Sequence, residues 1–402
     1  MSRWQTVRYL PHTWLLASLA GCTVFAAGFA VFTSDPLHRF WGISAAIAYV
    51  VAALAVMVWR SRIGVDVALA VIFCGALVVP LIWLAWHGQA QPEVAVVARS
   101  AKTLIKDGSP YESPKVLATT TNPNAYNPYL PLMSAFGIPQ AIFGHSIITD
   151  PRVWFGIIYV LVFALALRIG GAMDYWRWAL LVTASPVIAL ELAVGGTDVP
   201  MVAFLCLGFA FLYRNDGELY AGVALGIASS MKATAWPALA VAFTLLLVRN
   251  GKREAWRFTA MALAVVVVCV GPTAVTRPGS LVKNTILFPL GLASVKSQAA
   301  SPLIGNLIAG TGHIGHTIVV LMLVGSAVAI GVSLVIRPPR DVPAAVIRLV
   351  IGLSLMFVLA PSTRFGYFIY PGGMMLWLLA CSAGRYVSPG PRSRPAMLQT
   401  ID

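Results

Sequence analysis

The chain has 402 residues, of which 59% are apolar and only 10% are Asp, Glu, Lys or Arg. Soluble domains carry about 25% charged residues, so this composition excludes an ordinary water-facing surface and any sizeable soluble catalytic domain. The formal net charge of +14 is carried mostly by short clusters between apolar runs, a pattern typical of membrane orientation and not of nucleic-acid binding. We therefore expect an all-α polytopic membrane protein.

About twelve transmembrane helices are predicted, since one span takes roughly 20 residues. The predicted crossings are 13–32, 43–59, 65–86, 153–167, 178–194, 199–213, 219–231, 235–248, 258–275, 314–336, 344–360 and 367–381. The first run lacks a small-residue cleavage site, so it reads as a span and not as a signal peptide. Three regions follow: a tip and two helices in 1–64, a transmembrane core in 65–384, and a disordered basic tail in 385–402.

The stretch 218–248 decides the sidedness of the protein, because it fits either one long helix or a hairpin of two short ones. The hairpin collects most lysines and arginines in short cytoplasmic loops, as the positive-inside rule requires, whereas a single crossing divides them evenly. It predicts a multi-pass cell-membrane protein with both termini cytoplasmic and two large outer loops, 87–152 and 277–313. Its short arms predict a tip near Lys232 that stays in the outer half of the bilayer or lines a cavity.

The first outer loop opens with a candidate catalytic helix. From Val94 the apolar residues recur at helical spacing, while Arg99 and two lysines fall on another face, which predicts an amphipathic helix at the membrane interface. Pro92 suits the first turn of this helix, so Glu93 would lie at its N-terminus, where the helix dipole favours an ionised carboxylate. Such a carboxylate can act as a general base, or it can simply stabilise the start of the helix.

A second stretch of the same loop, 126–139, is rich in proline and aromatic residues and contains Tyr126, Asn127 and Tyr129. Interfacial tyrosines can shape a binding site, but they also anchor proteins at the membrane surface. Asp150, followed by Pro151, predicts the N-terminal cap of the next span.

Charged residues inside spans or at their ends are further candidates, because an intramembrane charge is costly and commonly marks function. Glu191 lies inside the outer end of a predicted span, and Asp198 ends a GGTD turn, where it can also cap the next helix. Lys232 can bind an anion in a cavity or extend to the headgroups. Arg364 in the last outer turn suits a phosphate, or it anchors the outer interface.

No metal or cofactor site is predicted, and a metal requirement is left open. The outer histidines, including His87, have no metal-ligand spacing, and all five cysteines fall in apolar runs, where they fit as core residues. Phosphate-binding loops, dinucleotide fingerprints and nucleophile elbows are absent from the sequence. The outer face thus offers a carboxylate at a helix start, a few isolated cations and loops rich in proline and aromatic residues. This combination fits the transfer of a group from a membrane-embedded, phosphate-bearing donor.

Four short motifs occur in a recognisable order: an acid, a helix and GSPY in 93–111, YNPYLP in 126–131, GGTDVP in 195–200 and SSMKATAWP in 229–237. In this order the chain, from residue 65 onward, resembles the polyprenyl-phosphate-dependent membrane glycosyltransferases of the GT-C type. The resemblance is to glycosyltransferase family 87 in particular, also known as domain of unknown function 2029 and common in actinobacteria.

The resemblance implies a GT-C-like fold and an inverting transfer of a sugar, often mannose, from a polyprenyl-phosphate donor to a lipid- or glycan-linked acceptor on the outer side of the cytoplasmic membrane. It also implies that Glu93 is the catalytic base, although the family acid is usually Asp and two extra spans precede the core here. We expect the donor phosphate to be bound by Lys232, Arg364 and Arg99. The acceptor and sugar site is expected to comprise Asp198, Tyr126, Asn127, Tyr129, His87 and Glu191.

Two other classes of protein also fit the spans. A proton-coupled transporter or lipid-sugar flippase could use Glu191 and Asp198 as a proton relay, but transporters commonly contain internal repeats and no convincing repeat is visible in the sequence. A noncatalytic scaffold would explain the spans but not the long outer loop.

Overall fold

The computed structural model describes residues 12–214, 216–295 and 297–385. Residues 1–11, which belong to the predicted N-terminal tip, and residues 386–402 of the predicted disordered tail lie outside the described residues.

Within the described residues the protein is all-helical: there are nineteen α-helices and no strand, apart from one isolated bridge between Ala300 and Thr363. The helices are α1 (His12–Phe32), α2 (Pro36–Val58), α3 (Arg62–Phe73), α4 (Val79–Trp86), α5 (Pro92–Asp107), α6 (Pro114–Thr119), α7 (Ile138–Phe143), α8 (Pro151–Ile169), α9 (Tyr175–Thr183), α10 (Pro186–Val194), α11 (Val199–Phe211), α12 (Glu218–Met231), α13 (Trp236–Arg249), α14 (Lys252–Thr276), α15 (Pro278–Val282), α16 (Ile304–Ala309), α17 (His313–Ile336), α18 (Val342–Leu359) and α19 (Ile369–Arg385).

Eight helical segments of this part of the chain are long and apolar enough to cross a membrane. They are α1, α2, α3 joined to α4 through a π-helical turn, α8, α14, α17, α18 and α19 with its preceding turn. A ninth forms if α9 and α10, bent by 60° at a short break, count as one span. Every predicted crossing coincides with a helix, but α11, α12 and α13 are short, so the count of twelve stays a prediction.

The core lies around α11, which is buried along almost its whole length between α8, α12 and α19. α12 approaches α14 closely because glycines face the contact: a Cβ on Gly222 would lie 2.7 Å from the Phe258 carbonyl oxygen, and one on Gly226 would lie 2.8 Å from Val265 Cβ. Small residues allow such close packing of membrane helices. The predicted break at Lys232 is present, because this residue has an extended backbone between α12 and α13.

The first outer loop folds on itself above these helices. α5 begins with Pro92, as predicted, and ends at Gly108, whose φ of 70° is favourable for glycine. Its apolar face, which includes Val97 and Ala101, packs on the 3-10 segment Pro131–Gly137 of the same loop. The predicted cap at Asp150 is confirmed, since its carboxylate accepts a hydrogen bond from the Arg152 backbone N–H at the start of α8.

Candidate functional site

Glu93 and Arg364 form an ion pair between the first outer loop and the last outer turn. Glu93 stands in the first turn of α5, and Arg364 precedes the 3-10 turn that leads into α19. Their side chains are mostly buried, with exposed fractions of 18% and 27%. Glu93 Oε2 is buried and has no hydrogen-bond partner among the described residues. The carboxylate therefore has one oxygen bound to a cation and one free to accept a proton.

Asp198 and Lys232 form a second, more deeply buried ion pair, with both carboxylate oxygens 2.9 Å from Lys232 Nζ. Asp198 occupies the N-cap position of α11, but its side chain makes no capping hydrogen bond. Lys232 lies at the break between α12 and α13, where the extended backbone lets its side chain point away from both helix axes. The contacts of the Asp198 side chain therefore indicate an ion pair and not a helix cap.

Two tyrosines flank the Lys232 ammonium group, with Nζ 4.5 Å from the ring centroid of Tyr367 and 5.5 Å from that of Tyr129. The Tyr129 hydroxyl lies 3.0 Å from the Thr197 hydroxyl in the GGTD turn. The neighbouring Leu130 N–H donates to the carbonyl of Met231, 2.8 Å away. These contacts join the YNPYLP, GGTDVP and SSMKATAWP motifs at one point.

Glu191 completes this group of charges. It interacts electrostatically with Asp198, Glu93, Arg364 and Lys232, and Gly366 leaves room for it, since a Cβ on this glycine would collide with the Glu191 carboxylate. We call the whole group the charged cluster. It consists of Glu93, Glu191, Asp198, Lys232 and Arg364 together with Tyr129 and Tyr367.

Electrostatics fix the protonation of two members of the charged cluster. Burial alone would lower the pKa of Arg364, but the adjacent Glu93 carboxylate raises the pKa above its ordinary value, so the guanidinium stays charged. Burial, reinforced by the carboxylates of Glu93 and Asp198, raises the pKa of Tyr129 well above its ordinary value. The Tyr129 phenol therefore stays neutral and can donate a hydrogen bond.

Two predicted site residues, Arg99 and Tyr126, lie in a different environment. Together with their partners Glu112 and Phe288 they form a group that we call the loop cluster. Arg99 donates to the carbonyl of Asn124 and lies 3.5 Å from Glu112. Tyr126 stacks on Phe288, with ring centroids 4.6 Å apart. Arg99 lies six positions after Glu93 on α5, which places the two residues about 9 Å apart along the helix axis.

Asn127 and His87 are likewise engaged elsewhere. Asn127 is buried; its backbone N–H donates to the Asn284 side chain at 2.7 Å, and its own side-chain oxygen accepts from the Tyr129 N–H at 3.1 Å. Asn127 thus supports the backbone of Tyr129. His87 is exposed, with Nδ1 2.8 Å from the carbonyl of Trp83.

Sequence reasoning missed Tyr367 as a member of the charged cluster, and it missed two neighbours of the cluster, Thr197 and Gly366. Thr197 lies inside the GGTDVP motif, which could have drawn attention to it, but nothing in the sequence marks Gly366 as the space for Glu191. No group of three or more metal-ligating side chains with suitable geometry occurs in the described part of the chain.

The sequence model of glycosyltransferase family 87 matches residues 127–361. The matched range contains Asn127, Tyr129, Glu191, Asp198 and Lys232. It begins after Glu93 and ends just before Arg364, so both members of the first ion pair lie outside it.

A solved structure with a similar fold is the crystal structure of ArnT from Cupriavidus metallidurans in the apo state, with 17% sequence identity and a TM-score of 0.50. The similarity covers 80% of this chain but only 60% of the ArnT chain, so this protein spans about 60% of the length of that structure. At this identity the likeness concerns the fold, and it agrees with the GT-C-like architecture expected from the sequence.

No curated protein matches the chain. The family match nevertheless extends over more than half of the 402 residues. The protein therefore belongs to glycosyltransferase family 87 and is a multi-pass membrane protein.

Proposed function

We propose that this enzyme transfers a sugar, with mannose as the first candidate, from a polyprenyl-phosphate donor to a lipid- or glycan-linked acceptor. The transfer takes place on the outer side of the cytoplasmic membrane and inverts the anomeric configuration. The observation that carries the proposal is the charged cluster, in which a carboxylate with a free oxygen, Glu93, lies beside the cations Arg364 and Lys232. Family membership also makes a transporter or a scaffold unnecessary as an explanation of the spans.

Glu93 is the proposed general base. Its unpartnered Oε2 accepts the proton of the acceptor hydroxyl while the hydroxyl oxygen attacks the anomeric carbon of the donor sugar. The bond between that carbon and the phosphate oxygen breaks, and polyprenyl phosphate leaves with the electron pair. A single displacement of this kind inverts the configuration at the anomeric carbon. General-base catalysis contributes about 10²–10⁴-fold to a reaction rate.

Arg364 and Lys232 are the proposed ligands of the donor phosphate. Lys232 is a buried cation and Arg364 a mostly buried one, and charge-assisted hydrogen bonds to phosphate oxygens are strong. They stabilise the negative charge that develops on the leaving phosphate. A phosphate that binds Arg364 would replace Glu93 as its ion-pair partner, and both carboxylate oxygens would then be free for the acceptor hydroxyl. Donor binding would thus prepare the base for the acceptor.

The other predicted residues receive more limited roles. Asp198, Glu191 and Tyr129 are proposed to shape the acceptor and sugar site, because they border the charged cluster. Asn127 supports Tyr129 through the backbone. We assign no substrate contact to the remaining three predicted residues, whose side chains make other contacts: Arg99, Tyr126 and His87.

The test is a transfer assay with purified protein in liposomes that contain a radiolabelled polyprenyl-phosphate sugar and a lipid extract as the acceptor source. Glu93→Gln should lower the rate of transfer by about 10²–10⁴-fold while leaving the elution profile and the unfolding temperature unchanged. Glu112→Gln is the matched control, because Glu112 is the half-buried, arginine-paired carboxylate of the loop cluster. Transfer at the wild-type rate by Glu93→Gln would remove Glu93 as the base, and transfer from a nucleotide sugar alone would overturn the choice of donor.

A further inference from the structure

Two backbone segments meet at the outer end of the core, and each carries an acid of the charged cluster close by. Residues 89–91 come just before Glu93, and residues 193–195 lie between Glu191 and Asp198. The segments touch directly: the Gln91 N–H donates to the Val194 carbonyl at 2.7 Å. The spacing between Glu93 and the other two acids therefore depends on how these segments are held together.

Arg152, at the start of α8, holds both segments. Its Nη1 donates to the carbonyl of Gln89 and to the carbonyl of Ala193, each at 2.9 Å. Its Nε and Nη2 bind the two carboxylate oxygens of Asp150 at 3.0 and 2.8 Å. The side chain is 1% exposed. We call this arrangement the Arg152 clamp.

A lysine could not replace this arginine, because an ammonium group lacks the planar fork that reaches a carboxylate and two carbonyls from fixed directions. Burying an ion pair is also costly, and an apolar pair of similar volume is often as stable or more stable. A buried charge that joins two segments next to the charged cluster is therefore hard to explain by stability alone. Its geometry suits a positioning role.

We propose that Arg152 is a positioning residue for sugar transfer: it fixes the spacing between Glu93, which follows one segment, and Glu191 and Asp198, which flank the other. The role rests on the proposed function, since it acts through Glu93 as the base. Arg152 itself touches no substrate. Lys232 and Arg364, the proposed phosphate ligands, lie on other elements, so loss of the clamp should affect kcat far more than the KM for the donor.

The variant that tests the proposal is Arg152→Met, which fills a similar volume but cannot bind the two carbonyls. A misplacement of about 1 Å at a catalytic group can cost about 10²-fold in rate, and we expect a loss of kcat of this order. A matched control is Arg177→Met, which also removes an arginine paired with aspartates, Asp66 and Asp174, but leaves the Arg152 clamp intact.

A disulfide offers a replacement for the clamp. A Cβ on Gly195 would lie 3.3 Å from Gln91 Cβ, close to the separation of about 3.5–4.5 Å found across disulfides. The atoms nearest to its added Cβ belong to Gln91, whose own side chain is replaced. The backbone of Gly195, with φ −153° and ψ −68°, lies outside the regions that L residues favour, so the cysteine pair alone is the reference for activity. The pair Gln91→Cys and Gly195→Cys can therefore join the two segments covalently.

The decisive variant combines Arg152→Met with this cysteine pair. After oxidation, with the bond mapped by mass spectrometry, we expect kcat to recover to within about tenfold of the cysteine pair alone, and reduction should abolish the recovery. A protein that is folded and crosslinked but stays about 10²-fold slow would overturn the proposal, as would a fully active Arg152→Met. A variant that merely failed to fold would not regain normal turnover on oxidation and lose it on reduction.

Two further measurements keep the proposal testable. If Arg152→Met cannot be purified, Arg152→Lys keeps a cation beside Asp150 but loses the fork, and the same recovery on oxidation is expected. The rate of disulfide formation between the two introduced cysteines needs no activity: it should fall in the Arg152→Met background. A slower crosslink together with a Glu93→Gln enzyme of normal activity would show that the clamp exists but that the proposed base is wrong.

Discussion

The first outer loop contributes to two groups of polar residues, the charged cluster and the loop cluster, and the two differ in how their groups are satisfied. Each contains a carboxylate paired with an arginine: Glu93 with Arg364, and Glu112 with Arg99. Arg99 also binds a backbone carbonyl within its own loop, so its contacts close the loop on itself. Among the described residues, Glu93 has one buried oxygen without a partner, and its arginine comes from the last outer turn, which is distant in the sequence.

This difference indicates that the charged cluster is arranged for binding, whereas the loop cluster stabilises the fold of the loop. A buried polar atom without a partner costs free energy, and it is tolerated where a substrate supplies the missing hydrogen bond. The loop cluster has no such need, because its ring stack and its backbone hydrogen bonds hold the loop by themselves. Ion pairs alone therefore do not mark the site; the unsatisfied oxygen and the convergence of distant segments do.

The comparison predicts its largest effect for paired substitutions. Glu93→Gln and Arg364→Met should each lower transfer by about 10²-fold or more, and the double variant should be little worse than Glu93→Gln alone, because residues that act as one unit are not additive. Glu112→Gln and Arg99→Met should each change transfer by less than about threefold, because this half-buried ion pair lies in the loop cluster, away from the charged cluster. The liposome assay measures transfer by the wild type and by these five variants. A strong loss in Arg99→Met would restore Arg99 to the phosphate site predicted from the sequence.

A second effect concerns stability. Lys232→Met leaves the Asp198 carboxylate buried without its cation, and breaking a buried pair in this way costs about 3–5 kcal/mol. The double variant Lys232→Met with Asp198→Asn should regain most of the free energy of unfolding, yet it should stay slow in transfer because the residue proposed to bind the donor phosphate is gone. Denaturant unfolding in detergent measures the first quantity. If the double variant recovered activity as well, Lys232 would have a structural role and would not bind the donor phosphate.

Local patterns in the sequence were enough for much of the fold. Helical spacing predicted α5, proline and acid types predicted its first turn and the Asp150 cap, and hydropathy located a helix at each predicted crossing. Each of these features depends on neighbours within one or two turns. The helix α11 is short and is buried along almost its whole length by other helices, and packing of this kind is not visible in hydropathy.

The partners within the site could not be predicted in the same way. Glu93, Asp198, Lys232 and Arg364 were each found as isolated charges, but which carboxylate pairs with which cation depends on how distant helices meet. Tyr126 and Tyr129 belong to one motif, yet they enter different clusters because an extended segment sends nearby side chains in different directions. The resemblance to the family supplied the role of Glu93, and the periodicity of the helix supplied only its position.

A smaller effect is expected where the charged cluster is packed most tightly. Gly366→Ala places a methyl group against the Glu191 carboxylate, and overpacking of this kind costs about 1–3 kcal/mol. We expect Glu191 to move and transfer to fall by about tenfold. Gly325→Ala is the control in a helix with open space around the new methyl group. Unchanged transfer by Gly366→Ala would remove Glu191 from the working parts of the cluster.

The smallest predicted effect compares two tyrosines of the YNPYLP motif, one in each cluster. Tyr129→Phe removes the hydrogen bond to Thr197, and Tyr126→Phe removes those to the Leu117 carbonyl and the Ser294 hydroxyl. Each loss should lower the free energy of unfolding by about 0.5–1.5 kcal/mol. Only Tyr129→Phe should also slow transfer, by a few fold, because the Tyr129 hydroxyl binds the GGTD turn that carries Asp198. Tyr126 instead stacks on Phe288 in the loop cluster. Equal losses of transfer in both variants would mean that the motif acts as a single acceptor site, as predicted from the sequence, and that the division into two clusters has no functional meaning.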